Sequence, residues 1–461
     1  MARETKDILL GKLRGGEPLS WGQGLRLTML LAVPAILAQL SSVVMQYIDS
    51  AMVGRLGAGP SASIGLVASS TWILYGFGMA VNTGFSVQIA HACGASDFKR
   101  ARQILRQALA GVLLFGLFLG LTGVGISGPL PSWLGGEEAI RADASGYFRI
   151  YSAFVPISLL GYAACAMLQA SGNMKVPSII YISMCALDVV FNYIFIYVLD
   201  MGVIGAAWGT GIAEALTSVF SIWYVCTRSK ELSLRGERGP RLAWGPTLRT
   251  AFGITGPLWL QNLVMRGAYV ASTLIVAPLG AVAIAANAFA ITAESFCYMP
   301  GYGLEEAATT LIGQSLGAKR KDVARTFARM TIGMAMLIMT SLAVVMFVFA
   351  TPIMSLLSSD PQVVALGAKV LRIEAFAEAM YAASIVGFGV CAGAGDTLVP
   401  TLLNFGSVWL VRIVLALILT PRFGLTGYWI SMCIELNVRG LLFLLYVRTS
   451  RWTRKVIINT A

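Results

Sequence analysis

The sequence is poor in charge. Only 12% of its 461 residues are Asp, Glu, Lys or Arg, whereas 57% are hydrophobic and the mean hydropathy is +0.75. A soluble globular domain carries roughly 25% charged residues. The composition therefore excludes an ordinary soluble protein and indicates a polytopic membrane protein.

Residues for metal-dependent or nucleophilic catalysis are also scarce. The chain has one histidine, His91, and seven cysteines scattered without a CxxC pair, mostly within apolar runs. Cysteine in that setting is usually a small core residue, so we expect no disulfide framework, no zinc site and no cofactor. A membrane enzyme is accordingly disfavoured. The sequence contains no GxxxxGK[ST] phosphate loop, which argues against ATP as the direct energy source.

Long apolar runs make up most of the chain. A helix needs about 20 apolar residues to cross the hydrocarbon core, and we find twelve such runs. The first is too long for a signal-peptide core and lacks a cleavage pattern, so we expect it to remain as a span. The runs begin near Leu27, Ala62, Ile104, Tyr147, Val176, Val203, Phe252, Val282, Met330, Leu371, Val399 and Gly424.

Basic residues cluster in segments that all lie on one side of the membrane if there are twelve spans. The positive-inside rule makes that side cytoplasmic, so we expect both termini there. Short loops favour a bacterial or archaeal cytoplasmic membrane, and of the two we favour a bacterial inner membrane. The net charge of +12 could suggest nucleic-acid binding. Because the basic residues do not form one soluble face, we expect no nucleic-acid partner. They include Arg3, Lys6, Lys12, Arg14, Arg26, Lys99, Arg100, Arg102, Arg106, Arg228, Lys230, Arg235, Arg238, Arg241, Arg249, Lys319, Arg320, Lys321, Arg325, Arg448, Arg451, Arg454 and Lys455.

The sequence repeats itself at an offset of 223 residues, the separation of Pro34 from Pro257. "GASDFKRAR" corresponds to "GAKRKDVAR" at this offset, and "ASGNMKVP" corresponds to "GAGDTLVP". Six spans per copy preserve orientation, so the halves should be related by an axis along the membrane normal. We predict a cytoplasmic segment 1–26, a six-helix lobe 27–227, a cytoplasmic linker 228–249, a second six-helix lobe 250–447 and a cytoplasmic tail 448–461.

Together these motifs resemble the multidrug and toxic compound extrusion (MATE) family of the MOP flippase superfamily. The resemblance covers nearly the whole chain and includes "IDSAMVGRLG", "HACGASDFKRAR", "GQSLGAKRKDVAR", "QASGNMKVP" and "MPGYGLEEAATTLIGQ". It implies an all-α membrane protein with two six-helix lobes in a V-shaped bundle around a central cavity. The implied activity is the export of organic cations in exchange for protons or sodium ions.

Four polar residues fall in the outer half of the first lobe. Helical rise places Asp49 about 6 Å from the external end of span one, Asn192 and Thr210 about 10 Å deep, and Asp188 about 16 Å deep. Ionisable residues at such depth are costly and are default functional candidates. Asp188 and Asn192, four residues apart, share one face of span five.

These residues predict a site for a small cation. Two carboxylates in a low-dielectric site cannot both stay ionised cheaply, so one should hold a proton, or a sodium ion should neutralise the pair with oxygens of Asn192 and Thr210. The resemblance implies the same coupling site at Asp49, Asp188, Asn192 and Thr210. The alternatives are an interface aspartate close to Arg55, and a threonine that bonds its own helix.

The second copy lacks this constellation. Asp49 aligns with Ser272, Asp188 with Val411 and Asn192 with Leu415. We therefore expect the cation site in the first lobe only.

The second lobe carries charges of its own. One interpretation is a set of buried ion pairs that fix helix register. The other is that an unpaired glutamate, Glu378 or Glu294, faces the cavity and attracts a cationic substrate. The residues concerned are Arg266, Glu294, Glu374, Glu378, Arg412, Glu435 and Arg439, with Glu374 and Glu378 spaced as neighbours on one helix face.

Pro34 and Pro257 fall inside spans one and seven, where we predict helix bends, which membrane helices tolerate. Because Pro34 shares a helix with Asp49, protonation of Asp49 could bias a straight form against a bent one. A bend at Pro34 is thus a candidate coupling element.

The leading hypothesis is a secondary multidrug efflux antiporter that works by alternating access. Its expected partners are small cationic amphipathic substrates and membrane lipid, and we expect a monomer. The alternative is a flippase for a lipid-linked or polysaccharide precursor. A flippase for anionic lipid-linked sugars should line its cavity with several basic residues, whereas the embedded arginines here are few and matched by glutamates.

Overall fold

The computed structural model describes residues 5–235 and 243–454, and this part of the chain is helical with no β-strand. Among the basic residues named above, Arg3, Arg238, Arg241 and Lys455 lie outside the described residues. The helices are α1 (Lys6–Arg14), α2 (Trp21–Gly54), α3 (Ala58–Gly94), α4 (Phe98–Ile126), α5 (Leu130–Trp133), α6 (Glu138–Ala170), α7 (Lys175–Tyr193), α8 (Gly202–Thr227), α9 (Trp244–Val276), α10 (Ala281–Gly317), α11 (Lys321–Val348), α12 (Ala350–Leu357), α13 (Pro361–Glu374), α14 (Glu378–Gly393), α15 (Leu398–Gly406), α16 (Val414–Phe423) and α17 (Leu425–Thr449).

Twelve segments of the described chain match the twelve predicted spans. Eleven are helices long and apolar enough to cross a membrane. The remaining one, span ten, is the bent pair α13 and α14. Two spans contain a π-helical turn, Ile194–Val198 after α7 and Ser407–Ile413 between α15 and α16. The predicted all-α membrane fold is confirmed.

The chain divides into two compact units. One unit takes the chain up to Leu40 and again from Pro257, and the other takes Ser41–Gly256. The two boundaries fall inside the continuous helices α2 and α9. We refer to Ser41–Gly256 as the N-terminal unit and to the remainder as the C-terminal unit.

The helices pack through small residues. In α14, for example, the buried positions include Ala382, Ala383, Gly387 and Gly389. Without a hydrophobic driving force between helices in lipid, association depends on close van der Waals contact, which small side chains permit. The alanine- and glycine-rich sequence is therefore what brings polar side chains on neighbouring helices within bonding distance.

Among the described spans, span ten is the one that is broken into two helices by a sharp bend. Helices α2 and α9 continue through Pro34 and Pro257 without interruption. Between Glu374 and Glu378 the axis turns by 60°, and the Ala377 amide donates to the Glu374 carbonyl at 2.7 Å. Glu374 therefore ends one helix and Glu378 begins the next, so the shared helix face predicted for them is wrong.

Candidate functional site

Helix α7, which is span five, contains two of the predicted site residues, and both lie in the interior of the N-terminal unit. Asp188 and Asn192 lie one turn apart on α7 and are only 1% and 2% exposed. Two residues after Asn192 the helix widens into the π turn, a feature that often marks functional positions. From that turn the Tyr197 hydroxyl donates to the Met52 carbonyl of α2 at 2.7 Å, which fixes the end of α2 near Asp49.

The Asn192 side-chain amide joins the two carboxylates. Its Nδ2 donates to Asp49 Oδ1 at 3.0 Å and to Asp188 Oδ2 at 3.1 Å. The amide has two hydrogens, so one serves each acid. The structure thus brings Asp49, Asp188 and Asn192 together, although Asp49 lies more than 130 residues before them in the chain.

The fourth predicted residue, Thr210 of α8, lies beside the Asp188 carboxylate. It is half-buried, as is Asp49. The four predicted residues therefore surround one point, and every group they present there other than the bridging amide nitrogen is an oxygen. Protons and hard cations such as sodium are the species that an oxygen-rich set of this kind accommodates.

The site lacks a permanent counter-charge. Within the described chain, neither Asp49 nor Asp188 forms an ion pair with a lysine or arginine, Arg55 included. Two buried acceptor oxygens, Asp188 Oδ1 and Asn192 Oδ1, receive no hydrogen bond there. Because burying an uncompensated charge or an unpaired acceptor is costly, the cheapest state of this site holds a proton or a small cation.

Sequence reasoning missed Gly209, which positions the site. A Cβ at this position would collide with the Asn192 side-chain oxygen and crowd its backbone nitrogen. Only glycine lets α8 approach α7 closely enough to place Thr210 beside Asp188. Four residues earlier, Gly205 similarly faces the backbone of the π turn. This G-x-x-x-G spacing is typical of close helix contacts in membranes and was a usable signal.

Two further residues of the N-terminal unit were also missed. Tyr147 of α6 has the carboxylates of Asp49, Asp188 and Glu214 as its acidic neighbours. Glu214 stands four residues after Thr210 in "WGTGIAE", so the helical period alone could have placed it on the same face of span six.

The C-terminal unit contains a different arrangement around Glu435. Arg412 Nη2 and Nε contact Glu435 Oε2 at 2.6 and 3.0 Å, and Arg439 Nε lies 3.1 Å from Glu435 Oε1. Arg439 also lies over the Tyr381 ring, 5.5 Å from its centroid. Glu435 is fully buried. We call Glu435, Arg412 and Arg439 the arginine cluster.

The remaining glutamates of the C-terminal unit stay outside this cluster. Glu374 and Glu378 are completely buried, and no described group hydrogen-bonds to either carboxylate. The Cys297 thiol beside Glu378 donates instead to the Met339 carbonyl at 3.5 Å. Glu294 lines a cavity of about 590 Å³ together with Arg266 and Arg412.

Known proteins resemble this chain along most of its length. The MatE family model matches residues 34–194 and 257–418. The chain is 28% identical over 442 residues to the probable multidrug resistance protein NorM of Chromobacterium violaceum, covering 91% of this chain and 93% of that protein. It is 29% identical over 450 residues to the multidrug resistance protein MdtK of Edwardsiella ictaluri, covering 92% and 95%. Among solved structures, a mutant of the Vibrio cholerae MATE transporter VcmN matches with a TM-score of 0.89 at 21% identity, over 94% of this chain and 99% of that one.

Proposed function

The chain belongs to the MatE family of membrane transporters and is not an enzyme, and from that premise we propose that it is a multidrug efflux antiporter. It exports small amphipathic organic cations in exchange for protons or sodium ions, as a monomer in a bacterial inner membrane with both termini in the cytoplasm. The multidrug resistance proteins NorM and MdtK, which it resembles over more than nine-tenths of its length, support the efflux activity.

The coupling proposal rests on one observation. The Asn192 amide hydrogen-bonds to both Asp49 and Asp188, and neither carboxylate has a basic partner among the described residues. Two carboxylates this close in a low-dielectric interior favour uptake of a positive charge, because each raises the cost of ionising the other. A proton on one of them, or a sodium ion among their oxygens, removes that cost. The site therefore binds one positive charge tightly and releases it only when its surroundings change.

The position of Asp49 suggests how that binding acts on the rest of the molecule. Asp49 lies on α2, and the chain passes from the C-terminal unit to the N-terminal unit within this helix, between Leu40 and Ser41. A change of charge at Asp49 therefore acts on a helix that belongs to both units. If α2 has two arrangements, the coupling ion selects between them by its differential affinity.

The test is transport by the purified protein in liposomes. Ethidium, a fluorescent organic cation, is followed under an imposed proton gradient and, separately, under a sodium gradient. We expect one gradient to drive transport by the wild type, and we expect Asp49→Asn to slow it at least about tenfold, because an amide can neither hold a proton nor supply the negative charge that balances a sodium ion.

Asp200→Asn is the matched control for this experiment. Asp200 is exposed in the turn that follows the π turn, and it has a left-handed φ of 52° that asparagine tolerates. The same chemical change should therefore leave transport intact there. Equal rates for Asp49→Asn and wild type would contradict coupling at Asp49. Failure of both gradients to drive wild-type transport would contradict the antiporter and favour the flippase.

A further inference from the structure

Glu214 is a buried acid of the N-terminal unit that the proposed coupling site does not use. It lies on α8 four residues after Thr210, about 6 Å farther along the helix and on the same face. Thr210 lies beside Asp188, and Asp188 is itself an electrostatic neighbour of Glu214. The acids Asp49, Asp188 and Glu214 thus form a series that leads away from the external end of α8.

Hydroxyl groups surround the Glu214 carboxylate. Ser158 Oγ of α6 donates to Glu214 Oε2 at 2.5 Å, and the Tyr162 hydroxyl lies next to the same carboxylate. The Tyr162 ring meets the Tyr75 ring edge-on with centroids 5.0 Å apart. Hydroxyls both donate and accept hydrogen bonds, so these contacts suit either protonation state of Glu214.

No basic side chain balances Glu214. The titratable groups that face it are Tyr75 from α3, Tyr147, Tyr151 and Tyr162 from α6, and Asp188 from α7. In the described chain, Glu214 forms no ion pair with lysine or arginine. Because ionised Asp188 and ionised Glu214 repel each other, a proton held by one of them favours ionisation of the other.

A small cavity adjoins Glu214 and restricts what can bind there. It has a volume of about 10 Å³, and its lining combines the polar side chains of Glu214, Tyr162 and Thr217 with the apolar side chains of Ile180 and Met184. This volume holds about one water molecule. It is too small for an organic cation, whereas a proton on Glu214 needs no more room than the carboxylate already has.

The packing between α6 and α8 keeps this cavity small. Gly161 of α6 has no room for a side chain because a Cβ there would collide with Ser218 of α8. The Ser221 hydroxyl also lies 3.3 Å from the Gly161 carbonyl. Close contact of the two helices therefore holds the Glu214 carboxylate against Ser158.

We infer that Glu214 is a second proton-carrying carboxylate, which receives its proton from Asp188 past the Thr210 hydroxyl. This inference rests on the proposed antiport and specifies the proton as its coupling ion. In the transfer step, the O–H bond on protonated Asp188 breaks and an O–H bond forms on Glu214, through the intervening hydroxyl or one water. The negative charge moves from Glu214 to Asp188, which can then take up the next proton from the Asp49 side.

The experiment compares Glu214→Gln with Ser158→Ala in the same liposome assay. We expect Glu214→Gln to slow proton-driven ethidium transport about tenfold, since general acid–base groups contribute at least this much. Ethidium binding to the purified variant, measured by fluorescence anisotropy, should not change. Ser158→Ala keeps the carboxylate and should slow transport less than Glu214→Gln does, because only one hydrogen bond is lost.

The control is Glu138→Gln, an exposed glutamate in the first turn of α6, which should transport like the wild type. Wild-type rates in Glu214→Gln would overturn the relay. Equal losses in Glu214→Gln and Ser158→Ala, together with weaker ethidium binding, would also overturn it by showing a purely structural role. Wild-type transport driven by sodium alone would overturn the relay but leave the antiporter, whereas no transport under either gradient would overturn the antiporter itself.

Discussion

The Asp49–Asp188 pair of the N-terminal unit and Glu435 of the C-terminal unit differ in the charges that surround them. In the N-terminal unit, Asp49 and Asp188 share a neutral asparagine amide and have no ion-paired arginine or lysine among the described residues. In the C-terminal unit, Glu435 contacts two arginines, Arg412 and Arg439, at distances of 2.6 to 3.1 Å. A carboxylate with permanent cationic partners needs no mobile ion, whereas the Asp49–Asp188 pair, which lacks them, favours a bound proton or small cation.

This contrast arises on a repeated scaffold. Asp188 corresponds to Val411 in the second copy, and Arg412 is the residue next to Val411. Both copies place a π turn in this span, at Ile194–Val198 and at Ser407–Ile413. The same helix thus presents an acid to the proposed cation site in one copy and a base to a buried ion pair in the other. The two copies share their helices and differ in their buried charges.

The sharpest test of the comparison is to neutralise one acid in each unit. Glu435→Gln leaves two poorly solvated arginines without their partner, so we expect a loss of about 3–5 kcal/mol in the free energy of unfolding. Asp49→Asn should lose little stability, because the site already favours a neutralised state. Thermal unfolding in detergent measures both, with a thiol-reactive dye that reports exposure of buried cysteines such as Cys93 and Cys391.

Glu138→Gln provides the baseline for this pair, since the same change at an exposed position should leave the unfolding temperature unaltered. If Asp49→Asn destabilised the protein as strongly as Glu435→Gln, Asp49 would belong to a structural network. The distinction between the two units would then fail.

A second test disturbs the spacing of the N-terminal site without changing its charges. In Gly209→Ala the new methyl group collides with Asn192, so α7 and α8 must separate. Overpacking of this kind costs about 1–3 kcal/mol, and we expect ion-driven ethidium transport to fall with it. Gly65→Ala on α3 is the control, because a Cβ there meets nothing within 4 Å. Unchanged transport in Gly209→Ala would show that the approach of α8 to Asn192 is dispensable.

The smallest expected effect concerns the hydrogen bond that fixes the end of α2. Tyr197→Phe removes the bond to the Met52 carbonyl, and we expect a loss of about 0.5–1.5 kcal/mol in unfolding free energy with slightly slower transport. Tyr193→Phe is the matched control, since Tyr193 is 57% exposed on the preceding turn. Identical behaviour of the two variants in thermal unfolding would remove Tyr197 from the support of the coupling site.

Hydropathy and the internal repeat predicted the twelve spans because each span must be apolar over a fixed length, which is a local property. The convergence of Asp49, Asp188, Asn192 and Thr210 was also predicted, since depth and helical face follow from counting residues. The bends at Pro34 and Pro257 stay predictions, and both prolines lie inside continuous helices. Neighbouring groups can hydrogen-bond the backbone carbonyl that a membrane proline leaves free, so helices α2 and α9 continue through their prolines. Span ten breaks between Glu374 and Glu378, although no proline lies between them.

The sequence by itself determined that this chain is an all-helical membrane protein with two related halves and a few acids inside its spans, because helix length, period and charge distribution are read residue by residue. Tertiary structure decided which acids have partners. In the folded chain, Arg412 and Arg439 contact Glu435. The carboxylates of Glu374 and Glu378 remain unpaired. The Asn192 amide lies between Asp49 and Asp188. Such assignments depend on a few ångströms between helices, set by contacts like Gly209 against Asn192, which no single helix encodes.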